Sequence, residues 1–352
     1  MKKVNIAVLF GGASPEYNVS LCSAASVIEQ MDKERFFPHC IGVSRRGEWF
    51  YYTGAPKDIA DDGWLREEYC QPVCINPGAG PHAFMLEGAN PRAFPAIDAV
   101  LPLLHGQNGE DGTIQGLIAL TGLPLIGCGT LCSALCMDKY RAHMLAAAQG
   151  IETPRTTLIS QKQDELSLFK AAEEIGYPLM VKPLRAGSSF GVTKVSHRRA
   201  LPEAAKEAFR YDTDAVLEEY IEGTELGCAI IGSRNSQPIV GRIDEIELKG
   251  DYFDTHEKYT LKNARIHVPA RLSQTKQEQT KELALRLYEL FDCTGFARID
   301  LFLTPDGRIL FNEINTIPGF TSQSRFPKML KAAGMSYPEI ITKVIKTAVE
   351  RL

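Results

Sequence analysis

A segment near the C-terminal end of the chain has the pattern of a β-hairpin, and it constrains the fold more than any other segment. Apolar residues alternate with polar ones from Gly295 to Leu303 and again from Ile309 to Asn315. The residues between the two runs read Thr-Pro-Asp-Gly-Arg, which is the chemistry of a turn. The two runs are therefore predicted to pair as the strands of a hairpin.

Four polar side chains share one face of this predicted hairpin. Residues two apart on a strand face the same way, so Arg298 lies with Asp300, and Glu313 lies with Asn315. Two carboxylates and an amide oxygen suit Mg²⁺ or Mn²⁺, and a guanidinium beside them can hold a phosphate or a developing oxyanion. The pattern indicates metal-assisted phosphoryl chemistry. A surface hairpin with satisfied salt bridges is the simpler alternative, but it leaves the alternation of charges with apolar core residues unexplained.

Length and charge exclude several classes of protein. A chain of 352 residues predicts about two or three domains. The net charge of -4 gives no polybasic footprint, which argues against a nucleic-acid partner. The chain has neither an N-terminal apolar run of signal-peptide length nor an apolar stretch near the ~20 residues that a membrane helix needs. We expect a cytoplasmic protein with no membrane partner.

The nine cysteines form no obvious disulfide framework, because their number is odd and their spacing is loose. Cys128, Cys132 and Cys136 recur every four residues, which is more typical of one packed helix face than of a ligand set. Cys70 and Cys74 are too weakly patterned for zinc. All nine are predicted to be reduced thiols, most of them buried as small apolar residues.

The N-terminal part of the chain repeats the order strand, turn, helix, which is typical of a doubly wound α/β unit with a parallel sheet. Strands are predicted at 4–10, 40–43 and 99–104, and helices at 19–31 and 113–120. Between about 48 and 96 the pattern is irregular and predicts only an insertion of short elements. Further along, helices are predicted at 137–149 and 274–291, and strands at 177–182, 192–195 and 215–220.

A loop rich in glycine and serine, 183–191, separates two of these strands. Its backbone N–H groups and hydroxyls can approach a phosphate closely, and Lys182 on the incoming strand adds a positive charge. The loop lacks the Gly-Lys-Ser/Thr ending of a P-loop, and by itself it is equally compatible with a plain turn. Together with the hairpin, it favours a nucleotide phosphate site.

Four residues that end a predicted strand, Glu218, Glu219, Tyr220 and Ile221, lead to Glu225. A strand end of this kind can offer backbone contacts to adenine, and a carboxylate beyond it can accept hydrogen bonds from ribose hydroxyls. A charged edge strand without any ligand explains the same residues equally well.

Ordered motifs of this chain extend over nearly its whole length. They are Phe10-Gly11-Gly12, Glu16, Val19-Ser20, Leu104-His105-Gly106, 109–113, Met137-Asp138-Lys139, Val181-Lys182-Pro183, Gly187-Ser188-Ser189, Glu257-Lys258-Tyr259, Arg298-Ile299-Asp300, 312–316 and 318–322. In these motifs the chain resembles the ATP-grasp carboxylate–amine ligases, specifically the D-alanine–D-alanine ligases and their D-alanine–D-serine relatives from vancomycin resistance.

The resemblance implies an α/β protein with the ATP-grasp fold. Its N-terminal doubly wound parallel-sheet domain would span 1–127, and two further α+β domains would span 128–216 and 217–352, the last with a closing loop at about 248–263. The family transfers the γ-phosphoryl group of ATP to a first D-alanine, and the amine of a second amino acid then attacks the acyl phosphate. The resemblance also implies a homodimer.

The resemblance assigns the nucleotide and metal residues. Lys139, Lys182 and Lys258 would hold the phosphates of ATP. The other residues expected to bind ATP are Ser188, Ser189, Glu218, Glu219, Tyr220, Ile221, Glu225 and Asn312. Two Mg²⁺ or Mn²⁺ ions would bind to Asp300, Glu313 and Asn315.

The resemblance also assigns the groups that bind the first amino acid and drive the reaction. Glu16 would bind the ammonium group of the first D-alanine, with His105 nearby. Arg298 and the N–H of Gly319 would stabilise the tetrahedral oxyanion. The remaining expected residues are Ser188 and Tyr259, which would orient and help deprotonate the attacking amine, and Ser324, which would contact the second carboxylate. A purely structural histidine and a packed aromatic are the alternatives for His105 and Tyr259.

The acceptor pocket departs from the alanine–alanine pattern. Phe253 stands where many of those ligases have a tyrosine, and Arg325 stands where most have an aliphatic residue. Arg325 and Asp244 can hydrogen-bond a small hydroxyl, so the chain is closest to the D-alanine–D-serine ligases. A salt bridge between Asp244 and Arg242 is an equally good explanation of that carboxylate.

Other functions stay open on the sequence. A housekeeping D-alanine–D-alanine ligase would share all the motifs outside the acceptor pocket. Another ATP-grasp ligase would lack the signatures at Glu16, His105-Gly106 and Glu257-Lys258-Tyr259. A non-catalytic nucleotide-binding sensor would need neither Arg298 nor the intact metal set.

Overall fold

The computed structural model describes four stretches of the chain, residues 3–88, 94–233, 237–248 and 264–349. These residues form three β-sheets of six, four and six strands, with helices packed around them. The predicted closing loop lies almost wholly outside the described residues, and so do Phe253, Lys258 and Tyr259.

The first sheet belongs to the N-terminal part of the chain. Its strands are β1 (Val4–Gly11), β2 (Phe36–Val43), β3 (Trp49–Tyr52), β4 (Cys70–Ile75), β5 (Phe84–Leu86) and β6 (Ala99–Pro102). They are ordered β5-β4-β3-β2-β1-β6. The predicted parallel pairing holds where β1 lies between β2 and β6. The supposed insertion at 48–96 instead supplies β3, β4 and β5, which extend the sheet by antiparallel pairing, so the sheet is mixed.

Three helices accompany this sheet, and the first of them positions a candidate site residue. They are α1 (Tyr17–Gln30), α2 (Pro56–Ala60) and α3 (Thr113–Thr121). Helix α1 begins directly after Glu16 and buries its apolar side against the sheet. The Trp64 indole N–H donates to the Tyr17 hydroxyl at 2.9 Å, which fixes the first turn of α1 against the core. Glu16 therefore stands on a rigid support.

The second sheet is antiparallel throughout. Its strands are β7 (Thr156–Ser160), β8 (Leu179–Pro183), β9 (Thr193–Val195) and β10 (Asp214–Glu219), ordered β7-β10-β8-β9. Its neighbours are α4 (Thr130–Met137), α5 (Lys139–Ala148), α6 (Glu165–Ile175) and α7 (Leu201–Ala208). Strand β10 is internal to the sheet, so the alternative in which Glu218 and Glu219 lie on an edge strand is wrong.

The helix predicted at 137–149 is interrupted. Asp138 has φ -87° and ψ 97°, which ends α4, and its carboxylate accepts a hydrogen bond from the N–H of Arg141 at 2.9 Å, which caps α5. The cap explains the break, because a helix start needs a partner for its first N–H groups. Lys139 becomes the first residue of α5.

The third sheet contains the predicted hairpin. Its strands are β11 (Thr224–Gly232), β12 (Ile239–Val240), β13 (Asp244–Leu248), β14 (Ala264–His267), β15 (Gly295–Leu303) and β16 (Ile309–Asn315), and its neighbours are α8 (Gln274–Leu290), α9 (Arg325–Ala332) and α10 (Tyr337–Val349). The order is β14-β13-β11-β15-β16, with β12 against β11. Antiparallel pairing of β15 with β16 confirms the hairpin, with the predicted strand bounds. The described residues also contain two short 3-10 turns, at Gly80–His82 and Arg198–Ala200.

The C-terminal helix joins the first sheet to the third. Tyr337 at the start of α10 contacts the Ser26 hydroxyl on α1 at 2.9 Å and donates to the carbonyl of Phe320. This contact brings the loop after β16 against the N-terminal part of the chain. Among the helices of the described residues, none is both long and apolar enough to cross a membrane.

Candidate active site

A β-bulge lies at the centre of the hairpin. Asp300 pairs with Glu313, but the next residue, Leu301, pairs with Phe311, so Asn312 is an extra residue on β16. A bulge lets two successive side chains point to the same side of a strand. Asn312 and Glu313 accordingly both line the same cleft.

The four polar residues of the hairpin meet as the strand pattern predicted. The Arg298 guanidinium donates two short hydrogen bonds to Asp300, at 2.8 Å from Nε and at 2.6 Å from Nη2. The Asn315 amide donates to the same carboxylate at 3.0 Å. Asp300 is only 1% exposed, so this carboxylate needs such partners to remain charged.

A cleft with an empty volume of about 910 Å³ opens between the second and third sheets. Every residue predicted to bind ATP lines it, except Lys258, which lies outside the described residues. Four apolar lining residues were missed: Met180, Ala186, Val192 and Phe302. Met180 shares a strand face with Lys182, and Phe302 shares one with Asp300, so the period of two could have found both.

The loop between β8 and β9 holds a strained backbone at the mouth of this cleft. Ser188 and Ser189 have φ of +49° and +59°, values that non-glycine residues seldom adopt. Lys139 donates to the carbonyl of Ala186 at 2.6 Å and so ties the loop to the start of α5. The loop is held in one conformation and presents its hydroxyls to the cleft.

A buried ion pair supports the floor of the cleft. The Lys182 ammonium lies 2.5 Å from Glu218, whose side chain is 2% exposed. Lys194 lies over the Tyr220 ring at 3.9 Å from its centroid, a cation–π contact. Glu219 pairs with Arg155 at 3.1 Å. Glu218 and Glu219, which are both expected to bind the nucleotide, are thus each held in place by a cation.

Glu16 reaches from the start of α1 into the loop between β8 and β9. The Ser188 hydroxyl donates a hydrogen bond to its carboxylate. Two glycines cover the same carboxylate: a Cβ at Gly106 would collide with it, and a Cβ at Gly187 would lie 2.8 Å from Oε2. Gly106 also has φ of +71°, so glycine is required there for two reasons. The structure therefore brings Glu16 and Ser188 together, as predicted.

His105 is a neutral, buried histidine directly before Gly106. Burial, with a smaller effect of the nearby Arg298 charge, lowers the pKa of His105 to about 4. The ring contacts the Ser23 hydroxyl at 3.4 Å, and that hydroxyl accepts a hydrogen bond from the N–H of Phe320 at 3.2 Å. His105 thus helps join the loop after β6 to the loop after β16.

Glu110 is a site residue that the sequence reasoning did not select. Its carboxylate accepts the N–H of Gly106 at 2.9 Å and the N–H of Ile317 at 3.2 Å. Burial and the nearby carboxylate of Glu16 raise the pKa of Glu110 to about 8. In the sequence, Glu110 was marked only by its place in the motif at 109–113.

The loop after β16 carries Gly319 and Ser324. Ser324 precedes α9, and its hydroxyl accepts a hydrogen bond from the N–H of Thr321 at 3.1 Å. A Cβ at Gly319 would lie 3.2 Å from that hydroxyl, so the loop is tightly folded. The start of a helix favours a negative group, which is compatible with the carboxylate expected at Ser324.

Arg325 is the centre of a buried network of charges. Its Nε and Nη2 each donate to Asp244 at 2.8 Å, and its Nη1 donates to Glu225 at 3.1 Å. Asp300 lies 3.5 Å from Nη2. Burial opposes a charge here, but attraction from these carboxylates outweighs it, so the pKa of Arg325 lies well above its ordinary value.

This network decides between the two explanations of Asp244. The carboxylate is 0% exposed and its ion-pair partner is Arg325, whereas Arg242, the alternative partner, is exposed. Within the described part of the chain, the salt bridge with Arg242 is therefore wrong. The predicted neighbourhood of Asp244 and Arg325 is confirmed; Phe253, the third member, is not placed.

Comparison with known proteins gives matches along almost the whole chain. The family model described as "D-ala D-ala ligase N-terminus" matches residues 5–128, and "D-ala D-ala ligase C-terminus" matches residues 145–346. The chain is 39% identical to a D-alanine–D-alanine ligase of Caldicellulosiruptor bescii, over 100% of this chain and 96% of that protein. It is 42% identical to the vancomycin C-type resistance protein VanC1 of Enterococcus gallinarum, over 99% of each.

One solved structure combines high identity with close structural similarity. It is the crystal structure of the VanG D-Ala:D-Ser ligase from Enterococcus faecalis, which is 44% identical to this chain. The match has a TM-score of 0.90 and covers 99% of this chain and 100% of that one.

Proposed function

Because the chain belongs to the D-alanine–D-alanine ligase family, whose members are ATP-dependent ligases that form a dipeptide, we propose that its own product is D-alanyl-D-serine. The first substrate is D-alanine, and the acceptor is D-serine in preference to a second D-alanine. The proposed role is the synthesis of peptidoglycan precursors that lower glycopeptide binding.

The observation that carries this proposal is the network around Arg325. Arg325 lies where an aliphatic residue would favour a methyl group. Its side chain has five N–H donors, and its hydrogen bonds to Asp244 and Glu225 use three of them. A site built to bind a hydroxyl discriminates well against the analogue that lacks it. The likeness to a protein titled a D-Ala:D-Ser ligase supports the same acceptor.

ATP fits the cleft between the second and third sheets. Apolar side chains, Met180 and Phe302 among them, can enclose a base, while Lys139 and Lys182 face the region where phosphates would lie. Glu225 is proposed to accept a hydrogen bond from ribose. Its pairing with Arg325 would connect the nucleotide to the acceptor corner, which is formed by Arg325 and Asp244.

Divalent metal ions fit the chemistry of the hairpin. Asp300, Glu313 and Asn315 offer oxygen atoms, the donors that Mg²⁺ and Mn²⁺ prefer, and they would hold the ions. When bound, such ions neutralise charge on the transferred phosphoryl group.

The first half-reaction needs the carboxylate of D-alanine to face the γ-phosphate. Glu16 attracts the ammonium group of the amino acid, and its position is fixed by Ser188 and by the start of α1. Lysines at the cleft hold the phosphate chain of ATP in line for transfer. The barrier is lowered mostly by positioning and by charge neutralisation.

The second half-reaction needs an amine that has lost a proton and an oxyanion that is stabilised. Ser188, held by Glu16, orients the attacking amine and helps to take up its proton. Arg298 and the N–H of Gly319 face the carbonyl oxygen on which negative charge develops, and phosphate leaves as the peptide bond forms. Tyr259 is proposed to complete the proton network.

An assay of the purified protein tests this function. ATP-dependent phosphate release is measured with D-alanine alone and with D-alanine plus D-serine, and the dipeptide is identified by mass. We expect mostly D-alanyl-D-serine at equal concentrations of the two acceptors. Release of D-alanyl-D-alanine alone would favour the housekeeping ligase, and no turnover with any D-amino acid would favour the nucleotide-binding sensor.

The domain bounds and the homodimer remain predictions. Light scattering of the purified chain during size-exclusion chromatography measures its mass in solution. Twice the monomer mass is expected, and the monomer mass alone would contradict the homodimer.

A further inference from the structure

Four buried cysteines converge at one place, away from the cleft. Cys128 lies just before α4, Cys132 and Cys136 lie on α4, and Cys293 lies between α8 and β15. Their exposed fractions are 3%, 2%, 7% and 5%. The prediction of one packed helix face therefore accounts for only part of the cluster, because Cys293 comes from a distant segment.

Three of the four sulfurs lie at distances close to those of a metal–thiolate site. Cys132 Sγ lies 3.5 Å from Cys293 Sγ and 3.9 Å from Cys136 Sγ. The sulfurs of Cys128, Cys132 and Cys293 all lie within 4.8 Å of one another. Zinc binds thiolate sulfur at about 2.3 Å, so two sulfurs on one tetrahedral ion lie about 3.8 Å apart. The two shorter distances need little adjustment to reach that value.

Simple packing of small apolar residues does not require this convergence. Cys228 lies in the same apolar core, is 0% exposed, and is not part of the group. In the cluster, by contrast, the sulfur of Cys132 lies close to that of Cys136 on the same helix and to that of Cys293 from a distant segment. Soft thiolate ligands select zinc and similar ions over the hard Mg²⁺ of the hairpin site.

The cluster lies at a junction that matters for the catalytic hairpin. Cys128 follows Gly127, and Cys293 precedes β15, the strand that carries Arg298 and Asp300. The Thr294 hydroxyl donates to the carbonyl of Gly127 at 2.9 Å. A Cβ at Gly295 would lie 2.5 Å from the Cα of Gly127, so the two backbones are in close contact. An ion held here would tie the two segments together.

An ion can reach the cluster from the surface. A cleft is bounded by Gly129, Thr130 and Cys132 on one side and by Asp292 and Thr294 on the other. Cys132, the central thiol, is the member of the cluster that lines this cleft.

We propose that Cys128, Cys132 and Cys293 form a structural site for a thiophilic divalent cation of the zinc type, which Cys136, next to Cys132, completes as the fourth ligand after a change of its side-chain rotamer. Each thiol that becomes a ligand gives up its proton to solvent, and no electron is transferred. The ion stabilises the junction between α4 and β15 and takes no part in the reaction. The site is independent of the choice of acceptor.

A titration of the reduced, metal-free protein with Cd²⁺ tests the site. We expect one equivalent to bind per chain, with the near-ultraviolet charge-transfer band of a cadmium–thiolate complex, and Zn²⁺ to displace it and raise the melting temperature. Absence of the band in the folded wild-type protein would overturn the proposal. So would a cysteine disulfide within the cluster, detected by mass spectrometry after purification without reductant.

Two matched variants locate the ion. Cys132→Ala removes the central thiol and is expected to abolish the band, whereas Cys228→Ala removes an equally buried thiol outside the cluster and should leave the band unchanged. Persistence of the band in Cys132→Ala would place the ligands elsewhere. If Cys132→Ala does not fold, alkylation of the wild-type protein during partial unfolding gives the same answer: compared with the metal-free protein, Cd²⁺ must slow alkylation of the four clustered cysteines and leave exposed Cys22 and Cys74 equally reactive.

Discussion

The nucleotide side of the site and the acceptor corner hold their charges in different ways. At the nucleotide side, Lys139 donates to a backbone carbonyl in the loop between β8 and β9 and its neighbour Arg141 is largely exposed, although Lys182 keeps a buried pair with Glu218. At the acceptor corner, Arg325 is buried with Asp244 and Glu225, and the carboxylate of Asp244 has no exposed surface.

This difference indicates where a substitution should affect turnover and where it should affect folding. Replacing an exposed charged side chain lowers the free energy of unfolding only slightly, because water takes the place of the lost partner. A buried pair that loses one member leaves an uncompensated charge in the core. We therefore expect changes at Lys139 to act mostly on kinetics, and changes at Arg325 to act on both stability and specificity.

Arg298→Met is expected to give the largest loss of activity. The guanidinium faces the proposed oxyanion, and removal of one such donor typically lowers kcat by about 10²–10³. Steady-state kinetics with saturating ATP measure the loss after circular dichroism has shown that the variant is folded, because buried Asp300 loses a partner. Arg308→Met is the control on the same hairpin, because Arg308 is an exposed partner of Asp306 and Glu152, and it should keep near-normal kcat. Near-normal kcat in Arg298→Met would remove Arg298 from the reaction.

Arg325→Leu is expected to destabilise the fold by about 3–5 kcal/mol, because buried Asp244 loses its partner. Chemical unfolding measures the change. The double variant Arg325→Leu with Asp244→Asn should recover part of the loss, since no unpaired carboxylate remains. Arg308→Leu breaks exposed pairs with Asp306 and Glu152 and should cost less than about 1 kcal/mol. Equal losses in Arg325→Leu and Arg308→Leu would contradict the contrast.

Glu110→Gln is expected to change how stability depends on pH. The pKa of Glu110 is raised to about 8, so the folded protein holds this proton more tightly than the unfolded chain does. The wild type therefore loses stability from Glu110 as pH rises from about 5 to about 8, by on the order of 1 kcal/mol per pH unit at most. Glu110→Gln has no titrating group at this position. Its melting temperature should therefore rise relative to that of the wild type as the pH increases over that window. A constant difference would show that Glu110 is already ionised.

Asp138→Ala is expected to have the smallest effect. It removes the cap of α5, which costs about 1 kcal/mol, and loosens Lys139, the first residue of that helix. We expect a several-fold rise in the KM for ATP with little change in kcat. Asp164→Ala removes the equivalent cap of α6 and should leave the KM unchanged. A similar rise in the KM for ATP in both variants would mean that the loss of either helix cap has this effect, and not the loosening of Lys139 in particular.

The sequence predicted most completely what is local in the chain. The hairpin is formed by neighbouring residues, so its strands, its turn and its four polar side chains followed from a period of two. The bulge at Asn312 did not follow, because no residue type marks it. The strands β3 to β5 were missed because they are short and their pattern is irregular.

What depends on distant segments could be predicted only from the resemblance. Asp244, Glu225 and Arg325 meet through three different elements, and nothing in their spacing favours Arg325 over Arg242 as the partner of Asp244. The same holds for Cys293, which joins the other clustered cysteines across 161 positions. Contacts of this kind arise from tertiary packing and leave no periodic signal.

The ratio of the two dipeptides formed at equal D-serine and D-alanine concentrations tests the central claim most directly. It is measured by mass spectrometry for the wild type and for the folded double variant Arg325→Leu with Asp244→Asn. We predict mostly D-alanyl-D-serine from the wild type and a fall in the ratio of at least about 10²-fold in the variant. An unchanged ratio would contradict the assignment of acceptor choice to the Arg325 network.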